Sequence, residues 1–271
     1  MACSLRVQGL SRQYQTRNGW RKSTTVQAAC GVSFYIPAGK TLALIGSSGS
    51  GKSTVARCVV RLERPDSGEI WLGGVEISRL GARSLRPLRS RIQMIFQDPT
   101  TSMNPRMSAS AIIEEPLLIQ QRGTRNERRE RAASLMVEVG LSADWLDRRI
   151  NEFSGGQQQR IAIARALALS PKVLVLDEAL SGLDLSTQVQ IIQLLKNLQA
   201  AHSLTYLLIS HDLGAVAHLT DLLAVMSAGR IVEQGPTKEI IVNPQQPQTQ
   251  TLVAAAEHFK KAFARAQGAS A

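Results

Sequence analysis

Nine consecutive residues, Gly46, Ser47, Ser48, Gly49, Ser50, Gly51, Lys52, Ser53 and Thr54, fit the spacing G-x-x-x-x-G-K-[ST]. The glycines let the backbone curl so that its N–H groups converge on phosphate oxygens. Lys52 can reach the terminal phosphates, and the Ser53 hydroxyl is an oxygen donor of the kind Mg²⁺ prefers. The pattern has this meaning only between a strand and a helix. Here the apolar run Thr41–Ile45 precedes it and the helix-forming stretch 55–60 follows it. The expected chemistry is binding of a nucleoside phosphate.

Other apolar runs also end in groups suited to phosphate chemistry. Residues 172–176 lead into Asp177 and Glu178, residues 92–96 into Gln97, and residues 204–209 into Ser210 and His211. Asp177 can hold the hydration shell of Mg²⁺, and Glu178 is placed to take a proton from a water attacking a γ-phosphate. Gln97 can contact the metal or that water, and His211 can donate a ring N–H to the phosphate. Ser154, Gly155, Gly156 and Gln157 read as a capping box that opens a helix, and its exposed N–H groups offer a second anion site. One nucleotide seldom needs two phosphate cradles, so the second is expected to meet a nucleotide held by another subunit.

Continuous apolar strands with turns rich in glycine and polar residues imply a parallel sheet covered on both faces, with ligands beyond its carboxyl ends. Residues 109–169 read as largely helical, with clear spacing over 125–139 and 157–169. The fold expected is α/β: a central parallel sheet with an inserted α-helical segment of about 98–168. An N-terminal β region precedes the core, and its polar stretch 16–25 is expected to form a hairpin loop. Hydrophobic residues make up 44% of the 271-residue chain, yet no apolar run approaches the ~18 residues of a membrane span. The N-terminus lacks the layout of a signal peptide, so a cytoplasmic protein is expected, or one attached to a membrane through another. A net charge of +11 calls for an anionic partner. Basic clusters at 79–91 and 122–131 lack interleaved aromatics, and aromatics are only 4% of the chain, so nucleic acid is not expected. Cys3, Cys30 and Cys58 have neither disulfide-framework nor zinc-site spacing.

Taken in order, these motifs resemble those of the ATP-binding subunits of ATP-binding cassette transporters. They are the Walker A loop 46–54, Gln97, the signature Phe153–Gln157, Walker B ending at Asp177 and Glu178, Ser181–Asp184 and His211. The resemblance spans residues 5–235, leaving 236–271 as a tail. It implies a P-loop NTPase (RecA-like) core with a parallel sheet, an N-terminal antiparallel β subdomain and an inserted α-helical subdomain, and an ATPase with ATP and Mg²⁺ as ligands. Ser53 and Gln97 would bind the metal, Asp177 would act through water, and Glu178, His211 and Lys52 would be catalytic. Tyr14 matches the family's adenine-stacking aromatic. The implied partners are two transmembrane permease subunits, a second cassette or copy of this chain, and an extracytoplasmic solute-binding protein. The implied place is the cytoplasmic face of the inner membrane.

Residues 97–106 are similar to the QDPxxSLNPR run of the peptide/nickel importer branch. The segment 100–106 is expected to contact the membrane partner. The tail 243–252 resembles NPxHPYTxxL, with Gln246 and Gln248 in place of His and Tyr. Ala179 after Glu178 and a short tail without cysteine place the nearest resemblance among nickel-import subunits, with peptide as the other cargo. A cassette ATPase of a soluble complex, as in phosphonate C–P bond cleavage, is the alternative.

Overall fold

The structure is a computed structural model that describes residues 4–18, 22–98 and 102–256. The chain opens with strands β1 (Leu5–Asn18) and β2 (Lys22–Ile36), followed by β3 (Thr41–Ile45) and helix α1 (Lys52–Val59). Next come β4 (Ser67–Leu72), β5 (Val75–Glu76), α2 (Ala82–Leu85) and β6 (Ile92–Ile95). Three helices then intervene, α3 (Ala109–Ile119), α4 (Arg125–Glu138) and α5 (Gly155–Leu167), before β7 (Val173–Asp177) and α6 (Leu185–His202). The remaining elements are β8 (Thr205–Ser210), α7 (Leu213–Val216), β9 (Leu222–Ser227), β10 (Arg230–Pro236) and α8 (Thr237–Val242).

Two sheets result. The smaller is antiparallel, in the order β2-β1-β4-β5; the larger runs β10-β9-β3-β8-β7-β6, parallel except for β10 at its edge. Alternate residues of the central strands serve different cores. Leu42, Leu44, Val173, Val175, Leu207 and Ile209 pack with α1 and the small sheet. Ala43, Ile45, Leu174, Leu176, Tyr206 and Leu208 pack with Ile161 and Ile163 of α5 and Ile191 and Leu195 of α6. Burial on both sides is why these strands read as unbroken apolar runs.

The hairpin differs from the sequence expectation. Rather than looping over 16–25, β1 and β2 stay paired out to Asn18 and Lys22. Backbone pairing carries this distal ribbon, so it needs no apolar alternation and the sequence pattern gave no sign of it. Strands β4, β5, β9 and β10 were likewise not anticipated; β5 has only two residues, and β10 lies at an edge with much of its length exposed or half-buried.

The helices between β6 and β7 start where their side chains dictate. The Ser108 side chain accepts from Ala111 N–H to cap α3, and Thr124 with Glu127 forms a capping box on α4. Met103, Ile112, Ile113, Leu117, Leu135 and Met136 join the same core as the sheet face above α5 and α6, so this segment has no separate interior. At the far end of α4, Glu138 pairs with His202 at the end of α6. After α8, the backbone N–H groups of Gln245 and Gln246 donate to the two carboxylate oxygens of Glu233 at 2.9 and 3.0 Å. Residues 247–256 are helical and return Ala256 to the main core. Replacement of His and Tyr by Gln246 and Gln248 thus leaves the tail docked. No helix among the described residues is long and apolar enough to cross a membrane.

Helix α6 is pinned to the sheet by a buried polar contact: the fully buried Tyr206 donates its hydroxyl to the Leu195 carbonyl at 3.0 Å. Tyr206→Phe removes one buried hydrogen bond at little cost in volume. Stability is expected to fall by about 1 kcal/mol, read as a lower urea midpoint with an unchanged slope.

Candidate active site

The order β3-β8-β7-β6 sets four strand ends side by side: the phosphate loop after β3, Ser210 and His211 at β8, Asp177 and Glu178 at β7, and Gln97 after β6. The loop is held by close backbone approach. A Cβ at Gly46 would lie 2.1 Å from the Met226 carbonyl oxygen, and one at Gly51 would lie 1.8 Å from that of Ala28. At Gly51, φ is +101°, a conformation that itself favours glycine. Lys52 is 4% exposed and donates to the carbonyls of Gly46 and Ser47, each at 2.8 Å. Burial lowers its pKa, while the carboxylates of Glu178 and Asp177 act in the opposite sense.

Ser53 donates its hydroxyl to Asp177 Oδ1 at 3.0 Å, joining the first turn of α1 to the end of β7. Asp177 is buried, and that burial pushes its carboxyl pKa up, with the Ser53 hydrogen bond opposing. Glu178 sits in left-handed backbone at φ +48°. Its N–H is bonded to the Ile209 carbonyl at 3.0 Å, and its own carbonyl accepts from Ser181 N–H at 2.9 Å and Ser181 Oγ at 2.7 Å. A residue in this region is strained unless its surroundings hold it. The carboxylate is met from both sides: Gln97 Nε2 donates to Glu178 Oε2 at 3.0 Å, and His211 Nδ1 stands 3.4 Å from the same oxygen. A turn fixes His211, because Ser210 Oγ accepts from Asp212 N–H at 3.0 Å.

Tyr14 arrives from β1, about forty residues away in sequence, and its hydroxyl lies 3.4 Å from Thr54 Oγ1. The capping box expected at Ser154 forms: Ser154 N–H donates to Gln157 Oε1 at 2.9 Å and Gln157 N–H to Ser154 Oγ at 3.4 Å. These bonds are local; none of them joins Ser154–Gln157 to the phosphate loop. Ser154 and Gly155 are exposed and a Cβ at Gly155 would meet open space, whereas one at Gly156 would meet Thr187 Cγ2 at 2.6 Å. Gly156 is therefore a packing requirement of α5 against α6, and Gly155 leaves the helix start uncovered.

Sequence reasoning named Ser181–Asp184 as a motif without giving either end a role, and it did not single out Arg12 or Glu63. The Asp184 carboxylate caps α6, accepting from Thr187 N–H at 3.0 Å, Thr187 Oγ1 at 2.6 Å and Ser186 Oγ at 2.5 Å, and these bonds hold its pKa far below the usual carboxylate range. An acid three places before a threonine at a helix start was the available signal. The site as a whole offers a glycine cradle, a lysine and a hydroxyl–carboxylate pair of hard oxygen donors. That set fits a nucleoside triphosphate with Mg²⁺ held partly by its phosphates and by water.

The family model for "ABC transporter" matches residues 29–181. The chain is 44% identical over 248 residues to the dipeptide transport ATP-binding protein DppF of Haemophilus influenzae, covering 91% of this chain and 76% of that one. It is 43% identical over 247 residues to the protein of the same name in Escherichia coli (strain K12), covering 91% and 74%. Among solved structures, a dimeric ATP-binding cassette in a post-hydrolysis state bound to ADP and Pi superposes with TM-score 0.76 at 28% identity, over 86% of this chain and 98% of that chain. The chain belongs to the ABC transporter family, as one of its ATP-hydrolysing, ATP-binding subunits.

Burial makes the folded state hold the Asp177 proton more tightly than the unfolded chain does. Ionised Asp177 therefore costs stability above the ordinary carboxylate range, and the cost vanishes below it, where both states are protonated. Asp177→Asn is expected to raise the unfolding midpoint of the nucleotide-free protein at pH 7, with the gain shrinking as pH falls through that range. Paired urea titrations at pH 7 and pH 4 check this.

Proposed function

We propose that this cassette powers peptide uptake as one of two ATP-binding subunits peripheral to the cytoplasmic face of the inner membrane. The cargo class rests on the similarity to subunits named for dipeptide transport. The nickel reading rested on Ala179 and the short tail, and the relatives named here lend it no support. Residues 5–235 form the ATP-binding domain, and 236–271 a tail.

One observation carries the catalytic reading: the Glu178 carboxylate stands between Gln97 and His211 at the strand ends beside the phosphate loop. Glu178 takes a proton from the water that attacks the γ-phosphate, yielding ADP and phosphate. His211 donates a hydrogen bond to that phosphate, and Tyr14 stacks on the adenine. Lys52 exchanges its loop carbonyls for terminal phosphate oxygens. Ser53 and Gln97 would bind Mg²⁺ directly and Asp177 through water; the ion would neutralise charge on the phosphate oxygens. The exposed helix start at Ser154–Gln157 completes the site of the partner cassette, a second chain or a copy of this one.

The permease pair docks at a cleft of about 260 Å³ between β6, α3 and α5, which Met94, Phe96, Ile119 and Arg165 line. Phe96 is 38% and Ile119 60% exposed, an apolar surface that a partner helix would cover. The segment 100–106 expected to contact the membrane partner begins outside the described residues, and Ser102 borders the same cleft. An extracytoplasmic solute-binding protein would deliver the peptide.

Glu178→Gln is expected to keep ATP affinity in the assembled transporter and to lower turnover by roughly 10²–10⁴, the loss typical of a positioned base. Near-normal hydrolysis would remove Glu178 from that role. For cargo, deleting the gene is expected to abolish growth on short peptides as sole nitrogen source while cellular nickel stays normal. Intact peptide growth with depressed nickel uptake would reassign the cargo to a metal chelate.

A further inference from the structure

Charged side chains from two distant stretches surround Tyr14. Its phenol donates to the Glu63 carboxylate, which projects from the turn after α1, and also approaches Thr54. The Arg12 guanidinium lies over the Tyr14 ring, 5.0 Å from its centroid. Arg12 is itself fixed, with Nη1 bonded to Asp66 Oδ1 at 2.7 Å and Nε 3.6 Å from Glu63 Oε2. The second Asp66 oxygen accepts the Gln13 N–H at 2.7 Å, so the anchor is tied to the β1 backbone as well. On its other side, Glu63 Oε1 stands 3.7 Å from Arg57 Nη1 of α1.

A ring that serves only as a stacking surface turns freely about two side-chain torsions and must be ordered when a base arrives. Here the protein's own side chains hold the ring at its hydroxyl end and on one face. With the guanidinium over one face, an incoming base has only the opposite face to stack on. Burial and the Glu63 hydrogen bond raise the phenol pKa, so it remains a donor throughout the physiological range. The hydroxyl's separate 3.4 Å approach to Thr54 Oγ1 sets the ring beside the end of the phosphate loop, and so sets the base shelf near the phosphate cradle.

We propose that Glu63, braced by Arg12, is a positioning residue for nucleobase recognition, holding Tyr14 as a one-sided purine shelf at a set distance from the phosphate loop. The proposal rests on the reading of Tyr14 as the surface that stacks on the base. Glu63 touches no part of the nucleotide in this scheme and acts only through the phenol.

The test is equilibrium binding of ATP and of inorganic tripolyphosphate, which carries the phosphates without the base, to the purified full chain. Tyr14→Phe and Glu63→Ala are each expected to weaken ATP binding roughly 3–10-fold, the range for losing one hydrogen bond, and Tyr14→Ala to weaken it further. Tripolyphosphate affinity should stay at the parent value in all three. The Tyr14→Phe/Glu63→Ala double variant should lose no more than the larger single loss, because both changes cut one contact. If Tyr14→Ala weakens ATP while Tyr14→Phe and Glu63→Ala bind it like the parent, the shelf stands and the positioning role falls. If Glu63→Ala weakens tripolyphosphate as much as ATP, Glu63 supports the phosphate loop instead and the proposal is overturned. If Tyr14→Ala itself binds ATP like the parent, the shelf reading fails and takes the proposal with it.

Discussion

The phosphate loop is wedged between two other stretches of backbone, and the arrangement of the site follows from that contact. Gly51 lies against the Ala28 carbonyl of β2 and Gly46 against the Met226 carbonyl of β9, each too close to admit a side chain. The turn after β9 completes the clamp: Gly229 N–H donates to the Ser50 carbonyl, and Cys30 N–H of β2 donates to the Gly229 carbonyl. Strands from the start and end of the chain therefore meet at one loop, and the small sheet is registered to the large one there. Such close packing leaves the loop little room to reshape around a ligand, so its amides are in place before phosphate arrives.

Charge in the site is arranged against the cost of burial. Lys52 and Asp177 are both buried next to the loop, and each is pushed by desolvation toward its neutral form. Neither is isolated, since Lys52 is bonded to loop carbonyls and Asp177 to Ser53. Glu178 is a different case. It is less buried, it occupies strained backbone, and Ser181 and Ile209 hold that backbone in place. The geometry is that of a site that gives up some stability to keep polar groups poised where a triphosphate would bring its own charge.

The parallel core was legible because burial on both faces writes an unbroken apolar run, and the polar residues that end each run mark the strand's carboxyl end. Asp177, Glu178, Gln97 and His211 could be found that way, and the strand order then makes them neighbours. What the sequence withheld depends on contacts between distant residues. Arg12, Glu63 and Asp66 look like ordinary surface charges until β1 and the turn after α1 are brought together. The distal hairpin was hidden because backbone pairing leaves no apolar signature. Ser154–Gln157 was readable as a helix cap, and the hydrogen bonds of that cap are local ones, as a short-range sequence pattern would have them.

The tail's attachment has a consequence for how freely its sequence can vary. Glu233 grips the amides of Gln245 and Gln246, and an amide is the one donor that nearly every amino acid supplies in the same place. Side-chain identity at 246 is thereby released from the docking requirement, and an exchange of imidazole for carboxamide there is silent to the anchor. Only an imino acid would break it. Pro244 and Pro247 bracket the gripped pair without entering it, so the two prolines stiffen the approach and the exit while both donors are spared.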